Sequence, residues 1–87
     1  MTTIRNITIT TDGHKPPADI KVTVTCEVDH TDGKKPLAYF PAHGTGAKMV
    51  NTSGDTWEAS DTQMYDGSEQ TIKITCNGVT AHQSFKP

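Results

Sequence analysis

Residues 19–28 read Asp-Ile-Lys-Val-Thr-Val-Thr-Cys-Glu-Val, and every second position is apolar: Ile20, Val22, Val24, Cys26 and Val28. Lys21, Thr23, Thr25 and Glu27 fill the gaps. Successive side chains of a strand point to opposite faces, so this spacing predicts a strand with one dry and one wet side. Residues 70–76 repeat the pattern, with Ile72, Ile74 and Cys76 alternating with Thr71, Lys73 and Thr75. Both cysteines of the chain fall on these dry faces. The two strands are expected to face each other across a core.

The remaining chain is punctuated in the same style. Ile7 and Ile9 alternate with Thr8 and Thr10, but Ile4 is out of phase. That predicts a bulge, or an edge strand whose first part pairs differently. Thr11-Asp-Gly-His-Lys-Pro-Pro-Ala18 predicts a tight turn, because Asp-Gly supplies positive φ and prolines cannot donate to a ladder. The wording Thr-Asp-Gly-x-Lys-Pro-x-Ala returns at Thr31–Ala38. Nothing flanking it repeats, so it reads as one turn chemistry used twice rather than a solenoid or a duplicated ligand loop. Short strands are expected at Leu37–Phe40 and Ala47–Asn51, the latter with Met49 or Val50 inward. A loop joins them, and a turn follows at 51–55. Thr56–Ser60 carries Trp57 and Ala59 on one face, and Asp61–Ser68 reads as irregular and polar. Glu69–Asn77 is a strand, Asn77-Gly78 is the strongest hairpin signal, and Val79–Phe85 is the last strand. About seven strands, with turn signals roughly every 8–12 residues and no helix, predict one all-β domain over residues 1–87. Its expected form is a two-sheet antiparallel sandwich, with a small barrel as the alternative.

Composition supports strands. The chain has fifteen Thr, six Ile and five Val but one Leu, and β-branched side chains lose rotamer freedom in a helix. At 87 residues the core is small, since a chain of this size buries about 60–65% of its unfolded surface. Eight Lys and Arg against ten Asp and Glu leave a net charge of −2. With no polybasic run, no nucleic-acid partner is expected. No apolar run approaches the roughly 18 residues that cross a bilayer, so no membrane insertion is expected. The N-terminus, Met-Thr-Thr-Ile-Arg-Asn, has no apolar signal region. Read from spacing alone, the two cysteines are either one bridge or two packed thiols.

The order of elements resembles the immunoglobulin-like (Ig-like) domains of bacteria and phages. Cys26 stands on the second strand and Cys76 on the sixth, and Asn77-Gly78 matches the turn between the last two strands. Glu27-Val-Asp-His-Thr-Asp-Gly-Lys-Lys-Pro-Leu-Ala38 leaves the second strand through an Asp-rich turn with Gly and Pro, as those domains do. The resemblance implies an inter-sheet disulfide between Cys26 and Cys76. It also implies a non-enzymatic structural or adhesive role, as an accessory domain of a virion or bacterial surface protein. The expected location is therefore the virion or the cell surface. Two positions depart from the antibody pattern: Tyr39 and Phe40 stand where a core Trp is expected, and Ile74 stands where a tyrosine corner is expected.

Little in the chain points to chemistry. His14, His30, His43 and His82 read as surface loop histidines, without metal-ligand spacing. Asp12, Asp29, Asp32, Asp61 and Asp66 cluster near turns, where such carboxylates bond their own backbone more readily than calcium. Ser53, Ser60, Ser68 and Ser84 lack a nucleophile elbow, and Gly44-Thr-Gly46 is too short for a phosphate loop. No catalytic residue, metal or cofactor is expected. Binding fits better, to a protein or glycan surface. Trp57 is expected to fill the core; on the outside it would form a contact patch with Tyr65. Tyr65, in the polar 61–68 segment, is the residue expected to be exposed, and a binding end of the sandwich would be either His43–Ala47 with Asp61–Ser68 or the two Thr-Asp-Gly turns. The alternative function is a stand-alone binding protein, an enzyme inhibitor or carbohydrate binder acting through its loops. Asn6-Ile-Thr8 and Asn51-Thr-Ser53 match glycosylation acceptors.

Overall fold

Alternation turns directly into burial along the longest strand, β2 (Ala18–Asp29). Ile20, Val22, Val24, Cys26 and Val28 are all buried, while the residues between them face outward. The computed structural model describes residues 1–41 and 46–87. Around β2 stand β1 (Thr3–Thr11), β3 (Leu37–Tyr39), β4 (Ala47–Lys48), β5 (Val50–Ser53), β6 (Thr56–Tyr65), β7 (Gln70–Cys76) and β8 (Val79–Phe85). They form two antiparallel four-stranded sheets, ordered β1-β2-β6-β5 and β4-β3-β7-β8. The molecule is a small two-sheet β-sandwich, with no helix among the described residues.

One core lies between the sheets. The dry face of β2 meets Ile72, Ile74 and Cys76 of β7, and Ala38, Phe40, Met49, Ala59 and Tyr65 complete the cluster. Each fully buried aliphatic side chain contributes about 1.5–3 kcal/mol relative to exposure, and almost all of that comes from β-branched residues.

The out-of-phase Ile4 has its explanation in β1. Ile4 pairs with Val28 and Ile9 with Val24, and the register shifts between Arg5 and Thr8. Five positions apart, Ile4 and Ile9 would face opposite ways in a regular strand. The extra residue restores their phase. Asn6 absorbs it with φ +53° and donates its side-chain amide to Glu27. Beside it, Arg5 donates to both Asp29 oxygens at 2.9 and 3.1 Å and to Glu27 at 3.0 Å.

Two expectations change. Residues 61–65 are not irregular: β6 runs to Tyr65 and pairs with β2 without a break from Glu27↔Thr56 to Ala18↔Tyr65. Its inward positions are Trp57, Ala59, Asp61, Gln63 and Tyr65, and two polar residues in that row conceal the apolar alternation. Likewise the predicted 47–51 strand is divided. β4 pairs with β3 in one sheet and β5 with β6 in the other. Between them Met49 is 2% exposed and Val50 65%, so the chain changes sheets over a methionine driven into the core. The Met49 amide donates to the Pro36 carbonyl at 3.1 Å.

Candidate functional site

β6 delivers its last residues to one end of the sandwich, where the chain turns into β7. Asp66 shapes that turn. Its Oδ1 accepts the Ser68 amide at 2.9 Å and the Ser68 hydroxyl at 2.5 Å, and these bonds hold its carboxyl below the usual carboxylate range. Gly67 takes φ +95° and lies close against Pro16. Gln70 then donates its amide to Ser68 Oγ at 3.0 Å.

A shallow cleft of about 330 Å³ lies here, lined by Pro41, Gln63, Met64, Tyr65, Asp66 and Gln70. Its polar rim is made of two side-chain amides and a carboxylate. Met64, 64% exposed, supplies an apolar edge. Gln63 donates to Asp61 Oδ2 at 2.9 Å, which fixes the amide on that side. Such a rim exchanges hydrogen bonds with hydroxyls or peptide groups while apolar surface lies on the methionine.

Tyr65 is a buried wall of this cleft rather than the exposed residue expected. It is 2% exposed, because its position in the β6 alternation points it inward. Its ring meets Phe85 edge-on, with centroids 5.8 Å apart and planes at 74°. Its hydroxyl has no hydrogen-bond partner among the described residues. Burial first, and the Asp61 charge second, push its pKa up to about 12.

Trp57 does not join it. The two lie eight positions apart on one strand, about 26 Å at strand rise, so they share no patch. Trp57 is half-buried against the core, paired with Cys26 on β2 and Asn51 on β5. His43 lies outside the described residues. Sequence reading placed Asp66 among the turn carboxylates but singled out neither Gln63 nor Gln70. For Gln63 the signal was the continuation of the Trp57, Ala59 alternation through 61, 63 and 65; Gln70 had none.

No family model matches the chain, and neither a curated protein nor a solved structure matches it.

The expected disulfide is absent: Cys26 and Cys76 are free buried thiols. Cys76 turns its thiol to the Lys34 carbonyl at 3.9 Å, so its S–H has a local acceptor. Burial pushes Cys26 up to about 11, with a further push from Cys76. Cys76 is raised by burial and then by the Asp32 charge. Both asparagines of the acceptor triplets spend their side-chain amides internally. Asn6 donates to Glu27, and Asn51 donates to the Gly54 and Thr56 carbonyls at 2.9 Å. Among the described residues, no group of three or more His, Cys, Asp or Glu is placed to hold a metal, and no helix is long and apolar enough to cross a membrane.

A second polar surface lies on the outer face of the β3-β7-β8 sheet. There Lys73 Nζ stands 4.4 Å from the centroid of the Tyr39 ring, a cation–π arrangement. On the opposite sheet, Thr8, Thr10, Thr23, Thr25, Ser60 and Thr62 form rows of hydroxyls by register. One cross-strand pair, Thr23 and Ser60, is 2.8 Å apart.

Proposed function

We propose that this chain is a non-enzymatic Ig-like module with a structural or adhesive role, an accessory domain of a virion or bacterial surface protein. The observation that carries the reading is the strand order. Taken as A, B, C, C′, D, E, F and G, β1 to β8 give ABED in one sheet and C′CFG in the other. ABED is the first sheet of a constant-type Ig domain, and C′ adds one strand to its CFG sheet. The hydroxyl rows and the Lys73–Tyr39 pair support an adhesive use, because the outer faces of both sheets offer hydrogen-bonding side chains. Fold alone does not assign function, so the test is direct. Purified particles or cell envelopes from the source are expected to retain the chain through high-salt washing. Recovery in the soluble fraction only would rule the role out.

The cleft beside Tyr65 favours a second reading, a small binding protein that takes a glycan or peptide at this end. A panel of soluble oligosaccharides is expected to include one that binds at micromolar strength and is lost in Asp66→Ala and Gln70→Ala. Tyr65→Ala does not serve as the probe, since that ring belongs to the core.

A further inference from the structure

The four edges of the two sheets are not alike. β1 breaks its register at Asn6 and carries Arg5 there. β5 shifts register between Asn51 and Ser53. β4 is two residues long. Bulges, charges and shortness are the devices by which edge strands avoid pairing with other chains. β8 has none of them. It runs seven residues, Val-Thr-Ala-His-Gln-Ser-Phe, without Asp, Glu, Lys, Arg or Pro. Its register with β7 is unbroken from Cys76↔Val79 to Gln70↔Phe85.

The hairpin turn determines which of its backbone groups are open. Asn77 and Gly78 have φ +49° and +81°, a two-residue turn of the type that suits strand twist. The residues flanking such a turn, Cys76 and Val79, exchange both backbone hydrogen bonds. Hydrogen-bonded and open pairs then alternate along an antiparallel ladder. Val79, Ala81, Gln83 and Phe85 therefore turn their N–H and C=O to β7, and Thr80, His82 and Ser84 turn theirs to the open side. Among the described residues no strand pairs with that side. One bond touches it: the Gln83 side-chain amide donates to the Ser84 carbonyl at 3.3 Å.

The open groups are symmetric about His82. We propose that β8 is a self-association edge, on which a second copy of this chain sets its own β8 antiparallel across a two-fold axis at His82. The two four-stranded sheets become one of eight. In that register His82 exchanges both bonds with the second copy's His82, and Thr80 does so with the second copy's Ser84. The Thr80 amide takes over the Ser84 carbonyl from Gln83. Val79 opposes Phe85, and Ala81 opposes Gln83. A second copy fits this edge because a two-fold interface sets one surface against itself. A strand without Asp, Glu, Lys or Arg then sets no carboxylate, ammonium or guanidinium against its like, and open groups at 80, 82 and 84 meet their own complements. The inference is independent of the adhesive reading and of the cleft.

An edge pairing covers little surface, so the association is weak and concentration-dependent. Sedimentation equilibrium on the whole chain is expected to show the mass rising from 9.4 kDa toward twice that between roughly 10 µM and 1 mM. Thr80→Lys/Ser84→Lys is expected to stay monomeric throughout. Thr80→Lys/Ser84→Glu places the introduced lysine opposite the introduced glutamate, so association persists and weakens with salt. In hydrogen exchange, the Thr80, His82 and Ser84 amides gain protection with concentration, while Ala81 and Gln83 are protected at every concentration. Three outcomes overturn the proposal: a wild-type mass fixed at the monomer value, equal association in the double-lysine variant, or concentration-dependent protection elsewhere. If the double-lysine variant fails to fold, the alternating amide pattern in the wild type decides alone.

Discussion

The two Thr-Asp-Gly turns share their wording and little else. In the first, Asp12 accepts the His14 amide at 3.0 Å and the Lys21 amide at 3.1 Å, and the His14 ring stands 2.8 Å away. Every one of these partners is exposed and near in sequence. The second turn ties distant segments together. Asn77, in the β7–β8 turn, donates to Asp32 at 3.0 Å and to the Thr2 hydroxyl at 3.1 Å. That hydroxyl donates to the His30 carbonyl at 2.5 Å. Lys34 offers its carbonyl to the Cys76 thiol, and Pro36, fully buried, accepts the Met49 amide. Identical local chemistry thus makes a surface turn in one place and a clamp in the other. What differs is the partner each strand brings to it.

That contrast makes matched substitutions informative. Pro36→Ala removes fully buried ring atoms and is expected to cost about 1–3 kcal/mol, against less than about 1 kcal/mol for Pro16→Ala, whose half-buried ring lies against Gly67. Urea unfolding of the two variants checks this, and equal losses would contradict the division. Next in size, Asn77→Ala removes two hydrogen bonds and leaves an alanine at positive φ, which together cost about 2 kcal/mol. Asn77→Gly relieves the backbone part and is expected to recover about 1 kcal/mol. His14→Ala, at an exposed local contact, is expected to change stability by less than about 0.5 kcal/mol.

Thiol chemistry reads the same difference kinetically. Both cysteines are buried and free, so unfolded protein is expected to react with two equivalents of a thiol reagent and native protein with none on the same timescale. Asn77→Ala loosens the clamp beside Cys76 and is expected to speed its labelling several-fold, whereas His14→Ala leaves the rate unchanged. Asp32→Asn removes the charge that raises Cys76 beyond the effect of burial. Loss of that negative charge favours the thiolate, so the labelling profile is expected to move to lower pH. A Cys76 profile that stays in place would show that Asp32 does not act on the thiol.

How much of this was legible depended on whether each strand had one dry face. β2 and β7 declared themselves because their inward rows are unbroken Ile, Val and Cys. Ile4 against Ile9 announced the β1 bulge, since no straight strand puts both inward. β6 was half hidden because Asp61 and Gln63 occupy inward positions, and only pairing with β2 makes that segment a strand. The same concealment placed Tyr65 on the surface in the sequence reading, when its parity with Trp57 and Ala59 buries it. The sheet change at Met49 was also obscured, because a two-residue strand has too few positions to show a period. The cleft gathers Gln63 from β6, Asp66 from a turn and Gln70 from β7. Such residues carry no motif and meet only in the fold. For the cysteines, opposed dry faces told that both enter the core but not whether they bond.

The smallest expected effect concerns the first turn in acid. The His14 amide first, then the Lys21 amide, hold Asp12 down to about 2 from 3.8. A carboxylate with a lowered folded value contributes stability above its unfolded value and loses it as pH falls through the folded one. The turn is therefore expected to loosen between about pH 4 and pH 2. Asp29, held low by Arg5, and Asp66, held low by Ser68, give acid sensitivity elsewhere, so a global melt alone does not isolate it. Amide exchange does. Corrected for intrinsic rates, the His14 and Lys21 amides are expected to lose protection across that window in the wild type. In Asp12→Asn they start less protected and change little, and the Lys34 amide, bonded to the Thr31 carbonyl at 3.0 Å, is unaffected by the substitution. Equal acid responses at Lys21 in both proteins would mean that the Asp12 carboxylate does not hold the turn.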